Sequence, residues 1–197
     1  MYICIEGNIG AGKTTLAKLL ANKRKAEFLP ESFEENPLLP LFYADKKKMA
    51  FPLEYSFLID RHAQLYEFFA KKKKGDVVAD FSLYKCLWFA KANLPKKEFI
   101  LYKKHFKIIE KVLPKPDLII FIETSSHNLL KNIKRRGRKM ESQINKKYLE
   151  EVTKSYRRGL KKIDIPVFSM KVDCYTKHTG AQLLKSILQL LNQKNKF

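Results

Sequence analysis

Short apolar runs alternate along this chain with longer stretches of helical spacing. Tyr2 to Ile5 is apolar and β-leaning and ends at Glu6-Gly7; after a glycine-punctuated turn, Leu16, Leu19 and Leu20 recur at helical spacing within Thr14 to Leu20. Further apolar runs stand at Glu27 to Leu29, Val77 to Ala79, Leu118 to Ile122 and Val167 to Met170. Helical patterns separate them, over 52–70, 82–92, 97–112, 126–136, 147–163 and 179–191. Parallel strands need crossover connections, so this alternation predicts an α/β fold of three layers, a parallel five-stranded sheet with helices on both faces. The unbroken run Leu118-Ile119-Ile120-Phe121-Ile122 is what a strand buried on both faces requires, and Pro114 and Pro116 mark its entry. No internal repeat, low-complexity tract or composition shift divides the chain, which predicts one domain over residues 1–197.

Composition narrows the class. With 197 residues, 45% of them hydrophobic, the chain can bury a sizeable core, and disorder is excluded despite 40 Lys+Arg against 20 Asp+Glu. No apolar run approaches the roughly 18 residues of a membrane span, and the first residues lack the basic flank and cleavage site of a secretory signal. A cytoplasmic protein without a membrane partner is expected. Cys4, Cys86 and Cys174 are odd in number and form no CxxC pair, so reduced packing thiols are expected rather than a disulfide framework or a zinc site.

A net charge of +20 raises the question of nucleic acid, because clustered cations gain affinity by releasing counterions from polyphosphate. The lysine runs at 46–48, 71–74, 103–104 and 161–162 are scattered over loops or exposed helix faces, so they read as solvated surface and no nucleic-acid partner is expected. Only Lys131 to Lys139, with Arg135, Arg136 and Arg138, concentrates enough charge for a local anion site.

One motif carries chemistry directly. Gly7-Asn8-Ile9-Gly10-Ala11-Gly12-Lys13-Thr14 matches GxxxxGK[ST] in full, after a predicted strand and before a predicted helix. Backbone N–H groups freed by the glycines curl around a phosphate, the helix N-terminus adds positive potential, Lys13 reaches the β and γ phosphates, and the Thr14 hydroxyl faces Mg²⁺. Residues 7–15, Thr15 included, are therefore the expected ATP site of a P-loop NTPase-type fold. A kinase further needs a carboxylate for the acceptor hydroxyl, cations over the transferring phosphoryl group and a pocket for the acceptor. Glu31 follows Phe28-Leu29-Pro30 at the C-terminal end of the second strand, where open parallel sheets place ligands, and is the candidate general base. Glu54, Leu58, Arg61 and Leu65 share one helical face by their i, i+4, i+7 and i+11 spacing. Spacing alone leaves an amphipathic helix with an incidental ion pair as the equal alternative.

These residues together resemble the deoxynucleoside kinase family, whose members phosphorylate deoxyadenosine, deoxyguanosine, deoxycytidine or thymidine at the 5′-hydroxyl. The loop wording Gly7-Asn8-Ile9-Gly10 resembles the family's own, and Glu31 sits where the family has its catalytic glutamate, though Glu-Pro-Val is here Glu31-Ser32-Phe33. By the same resemblance Tyr43 binds the sugar 3′-hydroxyl, Glu54 reads the base edge in place of a glutamine, and Arg61 orients Glu54 or Glu31. Val77-Val78-Ala79-Asp80-Phe81-Ser82 is similar to the third strand and its Asp/Glu-Arg-Ser tip. Asp80 fits the acidic position, near Mg²⁺ and substrate; Phe81 replaces the arginine, for which Arg61 or a lid arginine is the expected substitute. Arg135-Arg136-Gly137-Arg138-Lys139-Met140-Glu141 resembles the family's arginine-rich lid, over about 135–145. Arg136 and Arg138 would neutralise the transferring group, with Arg136 also on ATP, and Glu141 would reach the sugar.

The resemblance implies ATP-dependent phosphorylation of a deoxynucleoside, purine preferred, by a homodimer using Mg²⁺. An ionised Glu54 only accepts hydrogen bonds, and guanine offers two adjacent donors where adenine offers one beside an acceptor. Two alternatives stay open at this point. A thymidylate-kinase-like nucleoside monophosphate kinase shares loop, sheet and lid but wants arginines around an anionic acceptor, and a nucleic-acid-binding ATPase would use the +20 charge.

Overall fold

Apolar runs too short for helices and flanked by turn residues settle into strands where both faces find cover. In a computed structural model, which describes residues 1–72, 74–172 and 177–194, five such runs form one sheet. Strands β1 (Tyr2–Gly7), β2 (Glu27–Leu29), β3 (Val77–Ala79), β4 (Leu118–Glu123) and β5 (Val167–Lys171) are all parallel, in the order β2-β3-β1-β4-β5. Central β1 pairs Ile3 with Val78 on one side and with Leu118 on the other. Ile3, Ile5, Val78, Ile119 and Ile120 are wholly buried.

Eight helices connect and flank the strands among the described residues: α1 (Lys13–Arg24), α2 (Leu38–Ala44), α3 (Lys46–Lys71), α4 (Tyr84–Asn93), α5 (Lys96–Glu110), α6 (Ser126–Arg136), α7 (Lys146–Leu160) and α8 (Lys177–Lys194). Right-handed crossovers decide their sides. The step from β1 to β2 runs one way along the sheet and carries α1; the steps from β2 to β3, β3 to β4 and β4 to β5 run the other way and carry α3 to α7 on the opposite face. Helix packing agrees: α1 lies against α8, while α4 lies against α3, α5 and α7. The three-layer parallel sheet read from the sequence is the observed fold.

Two elements depart from expectation. The apolar heptad Leu38–Ala44 forms α2, although Pro37 and Pro40 and the lack of polar positions hid any helical period. Helix α3 begins six residues before Pro52, at Lys46, because Asp45 caps it by accepting from the Lys48 N–H at 3.1 Å. Pro52 removes one hydrogen bond from the ladder without ending the helix.

The core also fixes the loop that follows β1. Glu6 is fully buried, its Oε1 accepting from the Ser82 N–H and hydroxyl at 2.7 Å each and its Oε2 from the Tyr156 hydroxyl at 3.0 Å. Asn8 donates to the Leu149 carbonyl at 2.7 Å and to Thr153 Oγ1 at 2.8 Å. One carboxylate and one amide thus tie the end of β1 to the end of β3 and to α7. Helix α7 reaches that position by packing Gly159 on Trp88, where a Cβ would stand 2.0 Å from the indole nitrogen. Cys4 and Cys86 are buried thiols, Cys174 lies outside the described residues, and among the described residues no helix is long and apolar enough to cross a membrane. The lysine runs at 47–48, 103–104 and 161–162 lie exposed.

Candidate active site

Strand order reverses its direction of connection between β1 and β3, and the crevice outside the C-terminal ends of these strands is where such sheets take ligands. Gly10 and Gly12 adopt φ of +81° and +85°, the left-handed region that favours glycine, and a Cβ on Gly10 would stand 2.9 Å from the Leu129 carbonyl oxygen. Gly12 caps α1, no side chain satisfies the helix's first N–H groups, and no acidic residue occupies its first turn. Those donors are left for an anion. Lys13 folds back with Nζ 3.1 Å from the Asn8 carbonyl oxygen. Burial and then the charge of Lys85 pull its pKa down to about 8, against the opposing pull of Glu31, Glu6 and Asp80.

The acidic tip of β3 meets this loop. Asp80 Oδ2 accepts from the Thr14 hydroxyl while its Oδ1 accepts from the Glu31 N–H at 2.7 Å, so one carboxylate locks the loop to the end of β2. Gln64 holds the same segment from α3, donating to the Pro30 carbonyl at 2.6 Å. The Glu31 side chain then turns into a cleft with about 100 Å³ of accessible volume.

Two cations meet Glu31 there. Arg61 places Nε at 3.0 Å and Nη2 at 2.6 Å from Oε1, and Lys85 places Nζ at 2.5 Å from Oε2. The side chains of Glu31, Arg61 and Lys85 are only 5%, 4% and 9% exposed. Burial alone would raise the Glu31 pKa; the charges of Lys85, Arg61 and Lys13 more than reverse that and leave it at about 2. Of the two partners expected for Arg61, the guanidinium takes Glu31 and not Glu54. Phe81, at the position of the family arginine, is fully buried in the core and contributes no polar atom.

Deeper in the cleft, Glu54 accepts from Asn93 Nδ2 at 2.6 Å through Oε1, and its Oε2, buried, has no hydrogen-bond partner. Burial lifts its pKa to about 7, against the Asn93 hydrogen bond and the charges of Arg61 and Lys85. Tyr43 and Tyr148 line the wall, with Phe33, Phe57 and Phe89 supplying apolar surface. At the far side Arg136 Nη2 lies 2.6 Å from both carboxylate oxygens of Glu141, and Arg138 pairs with Glu34 and stacks 5.0 Å from the Phe33 ring. Ile9, Gly10, Lys13, Thr14, Glu31, Tyr43, Glu54, Arg61, Arg136, Arg138 and Glu141, all named from sequence, therefore face one cavity. Gly7, Ala11 and Gly12 shape the loop, Asn8 turns its side chain toward α7, and Thr15 is exposed on α1. Sequence reasoning missed Lys85 and Asn93. Part of their signal was available: Lys85, Phe89 and Asn93 recur at i, i+4 and i+8 along α4, although the predicted span 82–92 stops one residue short of Asn93.

The family model for deoxynucleoside kinase matches residues 3–192. A deoxyguanosine kinase of Bacillus subtilis is 40% identical over 165 residues, 82% of this chain and 79% of that protein, and a deoxyadenosine/deoxycytidine kinase of the same organism is 31% identical over 182 residues, 88% and 83%. The solved deoxyadenosine kinase from M. mycoides with bound dATP superposes with a TM-score of 0.83 at 28% identity, covering 98% of this chain and 100% of that one. Fold, cleft and relatives agree, and the chain belongs to the deoxynucleoside kinase family.

Proposed function

We propose that the protein transfers the γ-phosphoryl group of ATP to the 5′-hydroxyl of a purine deoxynucleoside, giving the 5′-monophosphate. The observation that carries this is a buried carboxylate, Glu31, held ionised in the same cleft as Lys13 and the α1 N-terminus. Residues 7–15 take the phosphates of ATP, with Lys13 on the β and γ groups. Thr14 and Asp80, already in contact through hydroxyl and carboxylate, are a donor pair suited to Mg²⁺, which when bound neutralises charge on the phosphate oxygens. Tyr43 and Glu141 face the sugar, Glu54 the base, and residues 135–145 form a lid whose Arg136 and Arg138 meet the transferring group.

A carboxylate with a pKa of about 2 is a weak base toward an alcohol, which shapes the mechanism. Phosphoryl transfer passes through a loose transition state in which the attacking oxygen carries little extra charge until bonding to phosphorus is advanced. Glu31 therefore first accepts a hydrogen bond from the 5′-hydroxyl and aims its lone pair, then receives the proton late, once the oxygen has become acidic. Arg61 and Lys85 are already paired with Glu31, Arg136 with Glu141 and Arg138 with Glu34, so these cations are engaged rather than open to an anionic monophosphate as acceptor. In this reading the protein is one cytoplasmic kinase domain, consistent with its buried thiols. It pairs as a homodimer through α3 and α5, which expose Ile59, Tyr66, Ile100, Leu101 and Ile108.

Three outcomes are expected. Wild-type protein with MgATP yields 5′-monophosphates from deoxynucleosides and nothing from deoxynucleoside monophosphates, and Glu31→Gln lowers kcat by about a hundredfold or more, within the range of general acid–base contributions, while ATP affinity holds. Transfer to monophosphates, or turnover by Glu31→Gln within a few-fold of wild type, would contradict this. For the base, a pKa of about 7 leaves Glu54 protonated below neutrality, offering the donor and acceptor that adenine matches, and ionised above it, accepting both N–H groups of guanine. The ratio of kcat/KM for deoxyguanosine over deoxyadenosine should rise between pH 6 and pH 8 and become flat, and about tenfold lower at pH 8, in Glu54→Gln; an unchanged ratio sinks the assignment. Sedimentation should give twice the 23.1 kDa chain mass, reduced to a single chain by Ile100→Lys with Ile108→Lys, whereas a monomeric wild type refutes the dimer.

A further inference from the structure

Each oxygen of the Glu31 carboxylate has its own cation, and the two cations come from different helices. Arg61, on α3, spends Nε and Nη2 on Oε1 and points Nη1 to Cys86 Sγ at 3.2 Å, with its plane 4.5 Å from the Phe57 ring. Each of its three nitrogens thus has a partner. Oε2 is left to Lys85, on the first turn of α4, whose ammonium lines the same cleft and lies 5.5 Å from the Phe89 ring. No described contact other than Lys85 engages Oε2. An ammonium has three N–H donors on a compact centre, so Lys85 can hold Glu31 while keeping donors turned toward the cleft.

We propose that Lys85 is a positioning residue for phosphoryl transfer, closing with Arg61 a two-cation clamp that holds the buried Glu31 carboxylate oriented toward the acceptor hydroxyl. The proposal rests on the kinase reading above. The groups facing Glu31 are Lys13 and Glu6 from β1 and its loop, Arg61 from α3, Asp80 at the tip of β3, Lys85 from α4 and Tyr156 from α7. Among them Lys85 exerts the largest lowering influence on Glu31, ahead of Arg61. Removing it leaves Oε2 of a buried carboxylate without its partner and free to turn away from the acceptor hydroxyl.

The test compares wild type, Lys85→Met, Lys85→Arg, Glu31→Gln and the Glu31→Gln/Lys85→Met double variant. In Lys85→Met kcat should fall at least about tenfold while KM for ATP stays within about twofold. Lys85→Arg should restore most of kcat. A second readout needs no turnover. If Lys85 acts by holding Glu31, Lys85→Met lowers Tm more in the wild-type background, where it strands a buried carboxylate, than in the Glu31→Gln background, where no carboxylate is left to hold. Equal Tm losses in the two backgrounds, or a kcat that Lys85→Arg does not restore, overturn the proposal even if activity is lost. Failure of the wild type to phosphorylate any deoxynucleoside would defeat the kinase reading instead, and the melting comparison would still decide whether Lys85 and Arg61 clamp Glu31.

Discussion

The site depends on keeping one carboxylate charged away from water. Moving a lone carboxylate into a protein interior costs several kcal/mol even after relaxation, and breaking one partner from a buried pair is costlier than never having formed it. Glu31 satisfies that constraint with Arg61 on one oxygen and Lys85 on the other, with Lys13 nearby. The constraint reaches far into the fold, since the carboxylate follows β2, its cations ride on α3 and α4, and its backbone N–H is held by Asp80 at the tip of β3. Four elements must meet at one point for the charge to be tolerated.

The same logic organises the neighbouring carboxylates, each differently. Glu6, also fully buried, has no cation in contact and is satisfied by two hydroxyls and one N–H, and burial raises its pKa; it braces β1 against β3 and α7. Glu54 has one amide donor and one free oxygen, so it sits poised near neutrality at about 7. Glu141 is held by Arg136 at the rim. The carboxylates are thus paired unequally, and in the proposed mechanism this separates Glu31, which must stay charged, from Glu54, whose protonation would report on the base.

Much of this was legible in the residues alone, because periodicity reports burial and burial built the sheet. The runs Glu27 to Leu29 and Val77 to Ala79 and the helix Ser126–Arg136 stand where apolar spacing placed them, and the glycine-rich loop follows β1 as its wording required. Helix α2 and the first turns of α3 escaped because Pro40 and Pro52 mimic stop signals while tertiary contacts override them. Lys85 and Asn93 escaped for another reason. A lysine or asparagine in a helix reads as solvent-facing, and only the meeting of α3, α4 and β2 turns that face inward against Glu31 and Glu54. The partner of Arg61 was equally open from spacing, since Glu54 lies two turns away on the same helix while Glu31 arrives from β2.

The central claim, that Glu31 is held ionised by its cations, is tested most directly by following carboxyl carbon chemical shifts in ¹³C-glutamate-labelled protein as pH is lowered, with Glu31 assigned by its loss in Glu31→Gln. The account predicts that the Glu31 signal shows no titration between pH 8 and pH 4, its pKa being about 2, while the Glu54 signal moves through a midpoint near 7. A Glu31 midpoint at or above 4.5, the ordinary carboxyl value, would contradict it.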